Sequence, residues 1–585
     1  MAEYSFGGDA KLKRARYESL ATVLLNERKS GFDPHWQELD EFLLPRRTRF
    51  WSGDKNRGDK RNTKIINSTG RFSARTLSSG LHAGLTSPAR PWMKLTTPDP
   101  ELAKFAPVKA WLHDVTQRML VVFAQTNLYN SFPITYTDMG VFGTAAVAVL
   151  DDSKDLFRCY NFALGSYAIG LDRRNMVSTF VREFELTTRQ VVEEFGLQED
   201  GRTIDWSGIS AIVQRSWERG DYQTPVKVTW IITPNQEADP NKLLPKYLPF
   251  ASCWWETGSN EPGKSFLRES GFRTFPVMCP RWDITEGDSY GTDCPGMTAL
   301  GDVKQLQIME RKKAQAIAKM VDPALVGPTA LMTQKTSLLS GDITYSDARE
   351  GMGGLRSIHD VNLRIDHLVQ DIQNVEYRIQ RSFYEDLFLM LARSDPNQGA
   401  QRPTAREVEE RHEEKLIALG PVLERTNDEL LDPIVDRVFD MMDRSGLIPE
   451  APESLNGKNL KVEYISILAQ AQKLVGVVGL DRFMQTVLTV APVIPGILFK
   501  VNTNRYMDVV GDLLGIDPTI VREDEEADAM AAEQAKAQAA QMEAQQAKEM
   551  SIAVKNAGTT PMEGDTALSR LSRATAEQAA TEHVA

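Results

Sequence analysis

The chain has 585 residues, 42% of them hydrophobic and 25% charged, with 80 acidic against 68 basic side chains and a net charge of −12. That length supports several cores or one elongated multi-part subunit, and the composition is that of an ordinary soluble protein. The acidic balance argues against tight wrapping of nucleic acid, which needs clustered Lys and Arg, but allows a protein that lets DNA slide past.

The first residues lack the apolar run of a secretion signal. Residues 11–44 read as helices, with Asp33 and Pro34 suited to the N-cap and first turn of the second, whose apolar face carries Trp36, Leu39 and Leu43. The loop at 45–64 holds eight Lys/Arg against two Asp. It reads as a solvated segment, or else as a contact for a polyanion or another subunit. From 65 to 90 small residues dominate, including Ser78, Ser79, Gly80, Ala83 and Gly84, which suits tight helix packing.

Between about 140 and 290 the period changes. The stretches 144–150, 178–186, 226–233 and 272–278 are rich in β-branched and aromatic residues bounded by turn formers, and 187–196 reads as a short helix between them. An α/β region with a mostly antiparallel sheet is expected. The sequence YGTDCPGMTALGDVKQL (290–306) then comes close to a phosphate-binding loop, with Gly291, Gly296 and Thr298 in place. Met297 stands where that loop needs a lysine, and a thioether cannot offset phosphate charge. The glycines instead read as the turn that starts a long helix over 297–320, about 36 Å at 1.5 Å per residue, with Leu300, Val303, Leu306, Ala314, Ile317 and Val321 near helical spacing. Pro323 stops it.

A Gly-rich excursion leads to a second rod, in which Val361, Ile365, Leu368, Ile372, Val375, Ile379 and Phe383 step by four and three. After a loop at 392–403, helix restarts at Thr404, which has Glu407 at capping-box spacing, and Pro421 and Pro433 are expected to kink or interrupt it before Arg444. Further helix is expected over 460–515 and, in Ala/Gln/Glu-rich sequence, over 522–555, followed by a disordered tail.

Nothing convincing as an active site emerges. Cys159, Cys253, Cys279 and Cys294 are scattered and read as reduced thiols of a cytosolic protein, with no zinc pattern. His412, Glu413 and Glu414 would need histidine at Leu416 to make a metal helix, so a charged helix face is the simpler reading. No cofactor or metal is implied. The apolar stretch 488–501 is short and broken by Pro492 and Pro495, so no membrane partner is expected.

The blocks LTSPARPWMKL (85–95), VFGTAAVAVL (141–150), YGTDCPGMTALGDVKQL (290–306), VDPALV (321–326), RPTAREVEER (402–411) and LGPVLERTNDELLDPIVDRVFDMM (419–442) resemble, in order, the portal proteins of short-tailed bacteriophages, the podovirus-type head-to-tail connectors. Two departures stand out: GTDCPG is poorer in glycine than is common before the first long helix, and Arg406 replaces a small polar residue. Neither prevents a turn or a helix start.

The resemblance implies an α+β portal-type subunit with an α/β wing, paired long stem helices, a small clip and a helical crown. About a dozen subunits would form a ring at one capsid vertex, with double-stranded DNA passing through the centre. It places N-terminal helices and wing at 1–296, stem helices at 297–320 and 361–391, clip at 321–360, tunnel loop at 392–403, kinked wing helix at 404–445, crown at 446–520 and an acidic helix and tail at 521–585. Expected partners are the terminase, scaffolding or capsid protein and a tail adaptor or nozzle protein, in the virion and during assembly in the host cytoplasm.

DNA-channel candidates are Arg393 and Arg402 in the tunnel loop and Lys304, Lys312, Lys313 and Lys319 on the first stem helix, each of which could equally serve a salt bridge. Clip docking candidates are Pro323, Leu325, Val326, Asp342 and Tyr345. Two other readings stay open: a scaffolding or tail-structural protein without a channel, and a packaging ATPase or nuclease.

Overall fold

The computed structural model describes residues 6–50, 63–99 and 105–321, with short breaks at 199–201, 243, 260 and 262–263. It continues with 325–326, 356–357, 365–392, 419–455, 460–465, 483–487 and 524–557, besides isolated positions. Residues 1–475 form one compact unit and 476–585 a second.

Helix α1 (Phe6–Gly31) runs almost directly into α2 (Asp33–Phe42). Trp36, Leu39 and Leu43 are buried as their spacing requires, and Pro34 sits in the first turn. Asp33 is not the N-cap. Phe32 flanks the helix, and the buried Asp33 carboxylate instead accepts from the Arg28 guanidinium at 3.3 Å, because burial demands a charge partner more than a helix end demands a cap. Helix α3 (Thr69–Leu85) uses its small residues for close packing: a Cβ at Gly80 would lie 2.2 Å from the Phe388 ring.

Strand β1 (Met93–Thr96) precedes α4 (Ala106–Gln125) and α5 (Leu128–Phe142). Next come β2 (Val147–Asp152), β3 (Leu156–Asn161), β4 (Tyr167–Leu171), β5 (Val177–Thr187), the short α6 (Thr188–Val191), α7 (Ala211–Glu218), β6 (Pro225–Pro234), β7 (Phe250–Glu256), β8 (Arg268–Phe272) and β9 (Val277–Met278). A five-stranded antiparallel sheet has the order β4-β5-β6-β7-β8, and a three-stranded one the order β3-β2-β9.

Alternation assigns the larger sheet's two faces. Ala168, Val181, Ile231, Ala251, Cys253 and Trp255 meet Tyr17, Ala21, Leu24 and Leu25 of α1, while Tyr167, Ile169, Phe180, Trp230 and Ile232 face the main core. The stretch 272–278 is not one strand. It ends β8 in one sheet and forms β9 in the other, and Pro276, which has no N–H to give a ladder, lies at the crossing and accepts from Val149 N–H at 2.9 Å.

Helix α8 (Pro295–Val321) brackets the expected rod, and β10 (Leu325–Val326) pairs with β11 (Arg356–Ser357) beyond it. The second rod is described from Ile365 as α9 (Ile365–Ser382), with Ile372, Val375, Ile379 and Phe383 all buried. It ends where that stripe ends: Tyr384 takes φ of 56°, and a separate helix α10 (Glu385–Ala392) follows. Residues 419–426 are helical, a π turn occupies Asn427–Leu431, and α11 (Asp432–Arg444) has Pro433 in its first turn. The wider turn lies where the proline cannot donate to a regular helical ladder.

Residues 461–464 are not helical. They form β12 (Lys461–Tyr464), antiparallel to β1 with Met93 opposite Tyr464, and Tyr464 stacks on Trp92 at 6.3 Å. In the second unit α12 (Asp524–Ala557) occupies the Ala/Gln/Glu-rich stretch, and its described side chains are exposed. Thr404, Glu407, His412 and the tail after 557 lie outside the described residues.

Gly301, inside α8, has nothing within 4 Å of an added Cβ, whereas a Cβ at Gly291 would sit 2.1 Å from the Gly143 carbonyl oxygen. Gly301→Ala is therefore expected to raise stability by about 0.5–1 kcal/mol. Gly291→Ala should lower it by at least about 1–3 kcal/mol. Urea denaturation of the two purified variants checks the pair.

Candidate functional site

The start of α8 is built by backbone meeting backbone. Gly143 ends α5 with φ of 78°, its N–H donates to Met139 O at 3.0 Å, and its carbonyl accepts from Trp282 N–H at 2.9 Å. Gly291 N–H donates to Thr144 Oγ1 at 2.8 Å, and Cys294 Sγ lies 3.2 Å from Val141 O. A Cβ on Gly296 would lie 2.3 Å from that same Val141 carbonyl. Met297 packs against the core beside Gly143. The near-phosphate-loop spacing thus marks a joint filled with protein, with no room for a nucleotide between its glycines.

Arginines tie the helical segment 419–444 to this joint and to the strands beside it. Arg281 donates from Nη2 to Glu429 Oε1 at 2.6 Å and from its backbone N–H to Oε2 at 2.9 Å, and its Nη2 also reaches Asn175 O at 2.7 Å. Both side chains of the pair are under a tenth exposed. Arg425 Nη1 donates to Trp282 O and to Asp283 Oδ1, each at 2.9 Å. Arg437 donates from Nε to Val149 O at 2.7 Å and from Nη1 to Thr274 Oγ1 at 2.8 Å, and burial pulls its pKa down to about 10.

Two long helices rise from the joint side by side. Ala299, Leu300, Val303, Leu306 and Gln307 form the buried stripe of α8, and from Arg311 onward every position is exposed or half-exposed. Gln307 Oε1 accepts from the N–H groups of Ile66 and Asn67 at 2.6 and 2.8 Å, and Asn67 Nδ2 donates to Glu376 Oε1 of α9 at 2.7 Å. Arg378 of α9 reaches Asp302 of α8 at 2.8 Å.

The four lysines of α8 separate into two kinds. Lys304 pairs with Glu38 at 2.8 Å, with its ammonium 5.7 Å from the Phe42 ring centre, and Lys313 pairs with Glu310 at 2.6 Å. Lys312 and Lys319 are exposed and have no ion-pair partner among the described residues. Seven residues apart, they stand on one face about 10.5 Å from each other, opposite the buried stripe. Arg311, exposed between the pairs, was not singled out by the sequence, which gives no signal for facing. Arg393, Arg402, Pro323, Asp342 and Tyr345 lie outside the described residues; Leu325 and Val326 make up β10.

The basic loop divides likewise. Arg47 holds buried Asp138 through two contacts of 2.6 Å, and Lys64 pairs with Glu41 at 2.5 Å. Among the described residues no group of three or more His, Cys, Asp or Glu could hold a metal, and no helix is long and apolar enough to cross a membrane. All four cysteines are free and buried, and burial raises the thiols of Cys159, Cys253 and Cys294 to about 12, which leaves no thiolate at neutral pH.

Comparison with known proteins matches residues 14–521 to a family described as bacteriophage head to tail connecting protein. Over 533 residues the chain is 42% identical to the portal protein of Salmonella phage epsilon15, covering 91% of this chain and 93% of that one. Over 513 residues it is 42% identical to the probable portal protein of Bordetella phage BPP-1, covering 88% and 89%.

Removing Glu429 would leave the Arg281 charge buried and uncompensated. Glu429→Ala should cost about 3–5 kcal/mol, read as a lowered urea midpoint, whereas Lys313→Ala, at a half-buried pair within one helix, should cost less than about 1 kcal/mol.

Proposed function

The chain belongs to the bacteriophage head-to-tail connecting proteins, the portals, and on that premise we propose how its parts serve the portal. As a portal it is a structural, non-enzymatic component of the virion, set at the capsid vertex, through which DNA is packaged. The ATPase and nuclease readings therefore fall away, as does a scaffolding or tail protein without a channel.

In the proposed arrangement about twelve copies close a ring by heterologous contacts, each subunit presenting the same two faces to its neighbours. Helices α8 and α9 form the stem around the channel. The two antiparallel sheets with α1 to α5 form the wing, 321–360 the clip, 392–403 the tunnel loop, 404–445 the kinked wing helix, 446–520 the crown, and 521–585 the terminal helix and tail. The clip, being rich in loop sequence, docks the packaging motor first and the tail adaptor or nozzle afterwards.

The observation that carries the channel reading is the outward face of α8, unpaired among the described residues. In a chain of net charge −12, Lys304 and Lys313 are spent on carboxylates while Lys312 and Lys319 are held out from the rod. An acidic wall repels phosphates over a Debye length of about 8–10 Å. A few cations set in it give weak contacts that DNA can leave as readily as it enters.

Lys312→Ala with Lys319→Ala is expected to leave rings intact and to change the amount of nuclease-protected genome per particle several-fold, as is Arg393→Ala with Arg402→Ala. Lys304→Ala with Lys313→Ala should change it little. Unaltered packaging and retention in both of the first two variants rejects the channel contacts. Deleting 329–350 should spare the ring and abolish binding of the terminase, measured by co-sedimentation; retained binding rejects the clip assignment.

A further inference from the structure

Helix α3 presents an outer face whose side chains pair with no described residue of its own subunit. Phe72 is 63% exposed, and Arg71 and Arg75 beside it are exposed with no hydrogen-bond or ion-pair partner among the described residues. Phe72 and Arg75 lie opposite Leu77 and Leu81, which bury the inner face, with Arg71 at the edge of the exposed face. An exposed phenylalanine between two free guanidiniums is a surface for an acidic, partly apolar partner.

The same chain carries the complement. Along the π turn and α11, Asp428 and Asp436 are exposed and have no ion-pair partner among the described residues. They flank half-buried Asp432, which accepts the Tyr464 hydroxyl. Burial, and then the charge of Asp428, raise the Asp432 carboxyl. Lys461 is the cation that acts on Asp432 from β12. Carboxylates one turn apart repel each other, so this face gains from positive charge supplied from outside.

The elements that carry the two faces meet α5 at different residues. Pro133, Tyr136 and Gly140 of α5 meet α3 and its end, through Ser78 Oγ to Pro133 O at 2.6 Å, Thr86 Oγ1 to Tyr136 Oη at 3.2 Å and Leu77 against Gly140. Ser131, Thr135 and Met139, half a helical turn away, meet Asn161 of β3 and Thr426, with Thr426 Oγ1 3.8 Å from Met139 Sδ. Thus α5 touches α3 on one side and Thr426 of the 419–444 segment on another.

We propose that Arg71, Phe72 and Arg75 of one subunit dock on the Asp428–Asp436 ridge of the next copy of this chain, as a wing-level contact that closes the ring. This rests on the ring reading above. A head-to-tail contact needs two different, complementary faces, and this pair supplies them. The exposed Phe72 favours a protein over DNA as the occupant, since a duplex backbone offers no apolar surface to cover it.

The test uses two full-length charge-reversed chains, Arg71→Glu with Arg75→Glu and Asp428→Lys with Asp436→Lys, and mass measurement at physiological salt. Each alone should lose its ring fraction by about tenfold or more, because like charges then face each other. Mixed one to one, the two should form rings again, in which they alternate. Rings from either variant alone overturn the proposal, and would assign the arginines to DNA if genome retention were lost instead. Absence of rings from the mixture also overturns it. Wild-type chain that forms no ring would instead count against the ring reading itself.

Discussion

The direction of the long helix α8 depends on backbone approaching backbone where side chains are missing. Gly143, Gly291 and Gly296 bring the end of α5 and the start of α8 so close that a Cβ at either of the last two would lie within 2.3 Å of a carbonyl oxygen. Side chains are flexible spacers, whereas a joint of carbonyls and N–H groups has few ways to move. The rod that leaves it inherits that rigidity, as a wall element fixed at one end requires.

Three arginines extend the same logic. Arg281, Arg425 and Arg437 tie the segment 419–444 to strands and loops more than a hundred residues earlier in the chain. Each lies in a set of carbonyls or carboxylates that only one register of helix against sheet can supply, so these contacts specify position more than they add net stability.

Much of this was legible from the sequence because it rests on local rules. The apolar spacing from Leu300 to Leu306 and from Ile372 to Phe383 gave both rods, and the β-branched runs gave β5 and β6. What stayed hidden depends on distant partners. Residues 461–464 become strand because β1 waits for them, Asp33 abandons capping because Arg28 is buried beside it, and the second rod ends at Tyr384 through a backbone angle that no tyrosine announces. The four lysines of α8 look alike in sequence. Glu310 stands three residues before Lys313 on the same helix, but Glu38, which pairs with Lys304, comes from another helix, and no spacing rule reveals it.

The central claim is that α8 and α9 stand around a channel, carried on the joint at Gly143 and Gly291. Cryo-electron microscopy of rings assembled from the purified chain tests it most directly. The account predicts that the two helices surround the central hole with Lys312 and Lys319 facing it. Rings with these helices on the outer rim, or with both lysines turned into subunit contacts, would contradict it.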